Sequence, residues 1–131
     1  MEYKIFYDQS HKIFIIEVHG PFNVDGFNTL ADVLLAHPRW VPGTNCLFDY
    51  TNTTFFEVSP EHFKEIAGIH KRKNEIIGKG KSAFVMNGDL NYGLGRMYEG
   101  IAGPTVDTSF YIFSDYHKAK EWLMEAQSAS D

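Results

Sequence analysis

The sequence predicts an α/β domain on a mostly parallel five-stranded sheet, in the order ββαβαβαβα, with an opening hairpin at one edge. Three observations carry this. Short runs rich in β-forming residues alternate with stretches of helical period along nearly the whole chain. Most connections are short, which favours parallel strands joined by right-handed crossovers. Only the first two runs are separated by turn residues alone, so only they form a hairpin.

Tyr3–Tyr7 alternates as a strand, Asp8-Gln9-Ser10-His11 supplies the turn, and Ile13–Val18 resumes before Gly20-Pro21. Phe27, Leu30, Ala31, Leu34 and Leu35 then make one apolar helical stripe, with Asn23 as N-cap and His37-Pro38 as the stop. Pro42-Gly43 turns the chain into a third strand, Asn45–Tyr50. Ser59 is placed to cap a second helix with Pro60 at its first position and Val58 stapling to Phe63. Phe63, Ile66, Ala67, His70 and Ile77 continue one face of that helix to Gly78. Ser82–Met86 is a short fourth strand. A third helix follows, with Leu90, Leu94, Met97, Tyr98 and Ile101 expected inward. Thr108–Phe113 is the fifth strand. Ser114 or Asp115 caps a last helix with Ala119, Trp122, Leu123 and Ala126 on one side, and the polar tail from Gln127 is expected to fray.

With 131 residues, no internal repeat and no dividing linker, residues 1–131 read as one domain. Apolar residues at 44% against 22% charged suit a packed core rather than disorder. A net charge of −5 opposes a surface built to neutralise phosphates, so nucleic acid is not an expected partner. Cys46 is the one cysteine, which excludes an internal disulfide and a thiolate zinc cage. Met1-Glu2-Tyr3-Lys4 lacks the basic-then-apolar pattern of a secretory signal, and the longest apolar run, Ile13–Ile16, is far short of a membrane span. A cytoplasmic setting is expected.

Leu47-Phe48-Asp49-Tyr50-Thr51, a strand ending in Asp-x-Thr before a capped helix, resembles the corresponding segment of the STAS domain. Phe110-Tyr111-Ile112-Phe113-Ser114-Asp115, leading into Ala119 and Trp122-Leu123, is similar to the closing segment of SpoIIAA-like proteins. Together with the element order, the resemblance to the anti-sigma-factor-antagonist type covers nearly the whole chain. It implies that fold, and the similarity of such folds to the lipid-binding CRAL-TRIO domain brings in a second functional class. The resemblance also implies a phosphorylatable serine at the start of the second helix, a place held here by Ser59. The family's Asp-Ser-Ser/Thr-Gly is interrupted on both sides by Val58 and Pro60. Ser59 thus has two readings, a phospho-switch at an anion-friendly helix start and, favoured here, a plain N-cap.

The third helix contains Gly93, Gly95 and Gly100, each unfavourable there by about 1 kcal/mol against alanine. Their presence suggests that something approaches this helix closely. Tyr92, Arg96 and Glu99 share one polar face, either as a ligand or partner site centred on Arg96 or, the favoured reading, as a surface ion pair. Asp49, Asn52 and Asp115 lie where open α/β sheets gather ligands and could converge with Arg96, although caps and turns account for them as well. Trp40, Phe55 and Phe56 cluster in connections, where they cover the core or line an aromatic pocket or interface. The basic run Lys71-Arg72-Lys73 suits a helix C-terminus.

Catalytic and metal patterns are absent. No two of the six histidines stand at helical i, i+4 spacing, no nucleophile elbow occurs, and the Gly88–Gly95 segment matches neither phosphate-loop spacing. His70, on an apolar helical face, reads as a hydrogen-bonded core residue and Cys46 as an inert buried thiol. The expected function is therefore a non-catalytic regulatory or protein-interaction module, without cofactor or metal, that pairs as a homodimer through an exposed helix face. The alternative is a binder of a small apolar or anionic metabolite using the aromatic loops and Arg96. A flat surface without an internal void marks the first, and a closed apolar cavity of a few hundred cubic ångströms, the size of ordinary ligand pockets, marks the second.

Overall fold

A computed structural model of the protein describes residues 1–125; Ala126 and the tail from Gln127 lie outside them. Within that range β1 (Glu2–Asp8) and β2 (Ile13–Pro21) form the antiparallel hairpin, and β3 (Asn45–Thr54), β4 (Lys81–Val85) and β5 (Ser109–Phe113) continue in parallel. The strands lie in the sheet in chain order, β1-β2-β3-β4-β5.

That order decides where the helices go. A sheet that always adds its next strand on the same side, with crossovers of one hand, receives every crossover helix on one face. Helices α1 (Val24–Leu35), α2 (Pro60–Arg72) and α4 (Asp89–Ala102) accordingly share a core with Phe14, Ile16, Val18, Cys46, Tyr50, Phe110 and Ile112. Helix α5 (Tyr116–Met124), which follows the last strand, covers the opposite face over Ile13, Leu47, Ala83 and Val85 with Ala119 and Leu123. Alternation along each strand sorts the side chains between these faces.

The caps behave as the sequence predicts. Asn23 Oδ1 accepts from the Gly26 N–H at 2.7 Å, and Asp115 Oδ1 accepts from the His117 and Lys118 amides at 2.8 and 3.2 Å. Ser59 Oγ accepts from the His62 amide at 3.3 Å while His62 Nδ1 accepts from the Ser59 N–H at 3.0 Å, a reciprocal cap with histidine in the usual place of glutamate.

Three expectations need correction. The second helix does not run on to Ile77: it ends at Arg72 with Lys73 as its C-cap, and a separate turn, α3 (Asn74–Ile77), follows. The order is therefore ββαβααβαβα. Gly78 then takes φ +80° where the chain crosses the backbone at Pro42-Gly43, a contact that leaves no room for a side chain. Strand β3 extends to Thr54, because Phe22 and Pro21 pair with Thr54 after a bulge between Glu17 and His19. Helix α4 turns Gly95, Tyr98 and Ala102 inward and leaves Leu90 69% exposed; Leu94, Met97 and Ile101 only flank the core. The cause is close approach at Gly95, where a Cβ would stand 2.5 Å from Met86 Sδ and 3.1 Å from Ile112 Cγ2.

Candidate functional site

Between the sheet and α1, α2 and α4 lies a partly open cavity of about 100 Å³, smaller than the closed one of a few hundred cubic ångströms expected of a metabolite binder. Its walls are aromatic and aliphatic: Phe48, Phe84 and Tyr50 from the sheet, Leu30 and Leu34 from α1, Phe63 and Ile66 from α2. The rings stack into a continuous set, Phe22 on Phe55 at 5.2 Å and Phe84 on Phe110 at 5.6 Å between centroids. Flat rings held edge-to-face leave gaps that branched aliphatic chains would close, which is how a packed core comes to hold this space.

Few polar groups touch it. Cys46 and Ser82 are register partners on β3 and β4 and point to the same side. Tyr50 and Tyr98 complete the set; both are under a tenth exposed, as is Ser82. Among the described residues Tyr50, Tyr98 and Ser82 make no side-chain hydrogen bond, and all three line the cavity without leaving a fully buried hydroxyl unpaired. Burial pushes the Cys46 thiol and the Tyr98 phenol up, and burial followed by the neighbouring Tyr98 does the same to Tyr50; all three stay neutral.

His70 and Lys73 stand at one end of the space. His70 Nε2 is 3.1 Å from Thr108 Oγ1, whose own proton goes to the Gly78 carbonyl at 3.2 Å. The hydroxyl must then accept, so Nε2 carries the histidine hydrogen. Burial lowers the His70 pKa to about 4, against a weaker opposing pull from Asp107, and the ring is neutral at pH 7. Lys73 Nζ reaches across to Asp32 Oδ1 on α1 at 2.9 Å. Trp40 closes the same end, with Nε1 donating to the Ile76 carbonyl at 2.8 Å.

Asp49, Asn52 and Asp115 do not gather around Arg96, whose partners are its own helix neighbours Tyr92 and Glu99. Asp49 is in the middle of the lengthened β3, on the α5 side, where its carboxylate accepts from the Thr51 amide at 3.0 Å and the Thr51 hydroxyl at 2.7 Å. Arg96 stands on α4 across the sheet, exposed, with Nε 3.1 Å from Glu99; Tyr92 first and then Glu99 raise its pKa. Asp115 caps α5, its pKa lowered chiefly by the Lys118 amide, and Asn52 is exposed on β3. A sheet whose strand order never reverses has no crevice at its strand ends, which is why these four do not converge. Gly93 and Gly100 face open space, and the close approach inferred for them occurs at Gly95. Of the three loop aromatics, Trp40 and Phe55 line the cavity and Phe56 is 86% exposed. Ser59 makes the capping bonds already described.

Sequence reading missed Ser82, Tyr50, Tyr98 and the Lys73–Asp32 pair. The one available signal was Cys46 and Ser82, small and weakly polar, opening two adjacent apolar strands.

Neither a protein-family model nor a curated protein matches the chain. Among solved structures, the chain is similar to an uncharacterized protein of the DUF3478 family with a SpoIIAA-like fold from Shewanella loihica PV-4. The TM-score is 0.61 at 17% identity, over 93% of this chain and 92% of that one. The protein thus has the SpoIIAA-like fold, the STAS-type architecture that its element order and closing segment resemble. Among the described residues no helix is long and apolar enough to cross a membrane, and no three His, Cys, Asp or Glu side chains gather as metal ligands.

Proposed function

We propose that this domain works by binding rather than by catalysis, and that what it binds is a small, mainly apolar molecule held between the sheet and α1, α2 and α4. The observation that carries this is the cavity itself, apolar in its walls and lined by Tyr50, Tyr98 and Ser82, none of which makes a side-chain hydrogen bond among the described residues. A few polar groups on an apolar wall can orient a ligand that carries one polar substituent. Arg96, given this role in the alternative drawn from the sequence, points away from the cavity and takes no part in this reading. Calorimetric titration with hexan-1-ol tests it: saturable binding is expected, weakened in Ser82→Leu, which fills the space from the sheet side. Titrations without saturation would sink the proposal.

A protein-interaction role through α4 is the second reading. It is favoured by Leu90, Gly93 and Gly100, which leave a shallow exposed line on that helix. Native mass spectrometry should then show a dimer that Gly93→Arg disperses; a monomer at all concentrations removes this reading.

A further inference from the structure

Among the described residues, the cavity lining contains a single charged side chain. Among the described residues that border it, none is acidic, and His70 is held neutral by burial, which leaves Lys73. We propose, on the reading that the cavity is a binding site, that its ligand is a small carboxylic acid whose hydrocarbon part fills the cavity and whose carboxylate takes Lys73 from Asp32.

The two halves of that ion pair differ in a way that permits exchange. The Asp32 side chain is 59% exposed and the Lys73 side chain 26%. Asp32 can return to water with little change of environment, whereas Lys73 has its stem over the apolar rim and its ammonium at the edge. An incoming carboxylate meets a cation already positioned and partly desolvated, and it displaces an anion of its own kind. Lys73 is also where α2 ends and α3 begins, and a helix C-terminus favours a cation there.

Size narrows the ligand further. An engineered cavity of about 150 Å³ accepts benzene. The present one, at about 100 Å³, suits a hydrocarbon group no larger than that, with the charged head outside the apolar volume. Short straight, branched or aryl acids fit this description; long-chain lipids exceed it.

Three probes of equal chain length separate the outcomes: hexanoate, hexan-1-ol and hexylamine, titrated calorimetrically at low salt. Hexanoate should bind more tightly than hexan-1-ol by about tenfold, as charge-assisted hydrogen bonding implies. Lys73→Met, which keeps the apolar stem, should erase that advantage and bring hexanoate down to the affinity of hexan-1-ol. Asp32→Asn, a surface change, should tighten hexanoate alone. Equal affinities for hexanoate and hexan-1-ol, tighter binding of hexylamine, or an Asp32→Asn protein indifferent to hexanoate would overturn the carboxylate assignment while the cavity reading stands. If none of the three probes binds, both fall together.

Discussion

The two faces of this sheet are packed by different rules. Under α5, Leu47, Ala83 and Ala119 are fully buried among Ile13, Val85 and Leu123, small and branched chains that interdigitate. Under α1, α2 and α4 the same strands present Phe48, Tyr50 and Phe84, and the space between rings and helices is incompletely filled. Both faces are apolar, so hydrophobicity does not distinguish them. Shape does: at the centre of the α5 face short aliphatic chains close up, with Phe113, Tyr116 and Trp122 only at its margin, while the rings under three helices leave room for something else. The difference teaches that a cavity can be the by-product of which apolar residues a strand alternates, with no polar signature to announce it.

The largest effect that tests this contrast is a matched pair of truncations. Leu47→Ala removes a fully buried side chain from the dense face and should cost about 4 kcal/mol in denaturant unfolding. Leu34→Ala, beside the existing space, gives up fewer packing contacts and should cost nearer 2 kcal/mol. Equal losses would break the contrast between the faces.

Acid should discriminate between them almost as strongly. His70 borders the cavity, with its pKa lowered to about 4 from an ordinary 6.5. Between those values the unfolded chain holds a proton that the folded chain does not, so stability rises with pH across that window and falls as the solution is acidified through it. At most about 3 kcal/mol should be lost by pH 4, with no His70-dependent change above about 6.5. His70→Gln retains a donor toward Thr108 and should flatten the slope; a slope that survives this substitution would detach the acid response from the cavity.

Neighbouring residues in β4 sharpen the comparison further. Ser82 faces the cavity and Ala83, one position on, faces α5 at 0% exposure. The same replacement therefore meets opposite conditions. Ala83→Val should overpack and destabilise by about 2 kcal/mol, whereas Ser82→Val removes a polar group from the apolar wall, fills space and should stabilise by about 1 kcal/mol. Loss of stability by both variants would mean that the cavity is not available to a larger side chain.

The hairpin and the element order, apart from the break that sets α3 off from α2, were legible because period and turn chemistry are local properties. The sheet's two faces could also be sorted from alternation, since Leu47 and Asp49 must oppose Phe48 and Tyr50. Three things were not legible, each for a physical reason. Inward Gly95 gives no apolar signal, so the stripe through Leu90 and Leu94 was read instead. Asp49 and Arg96 are close only if strand order reverses, and order in a sheet depends on pairings far apart in sequence. The cavity escaped because periodicity says which residues point inward, not whether their volumes fill the space they enclose. Lys73 was seen as part of a basic helix end; its second role depends on Asp32, 41 positions away.

The smallest effect concerns the roof of the cavity. Helix α2 contributes Phe63, Ile66, Ile69 and His70 to the lining and starts at the reciprocal cap of Ser59 and His62. Removing one half, in Ser59→Ala, leaves the His62 amide without its side-chain acceptor and should cost about 1 kcal/mol. The loss is confined to the first turn of the helix, while the cavity-lining residues begin at Phe63 and continue toward Lys73. Affinity for hexan-1-ol should therefore change less than stability does. The dense face makes the opposite coupling, since anything that loosens α5 exposes Ala119 and Leu123 directly. If Ser59→Ala weakened the probe tenfold while shifting the unfolding midpoint only slightly, the start of α2 would be part of the binding site rather than a support for it. The serine's place in the fold would then have to be sought in ligand binding as well as in capping.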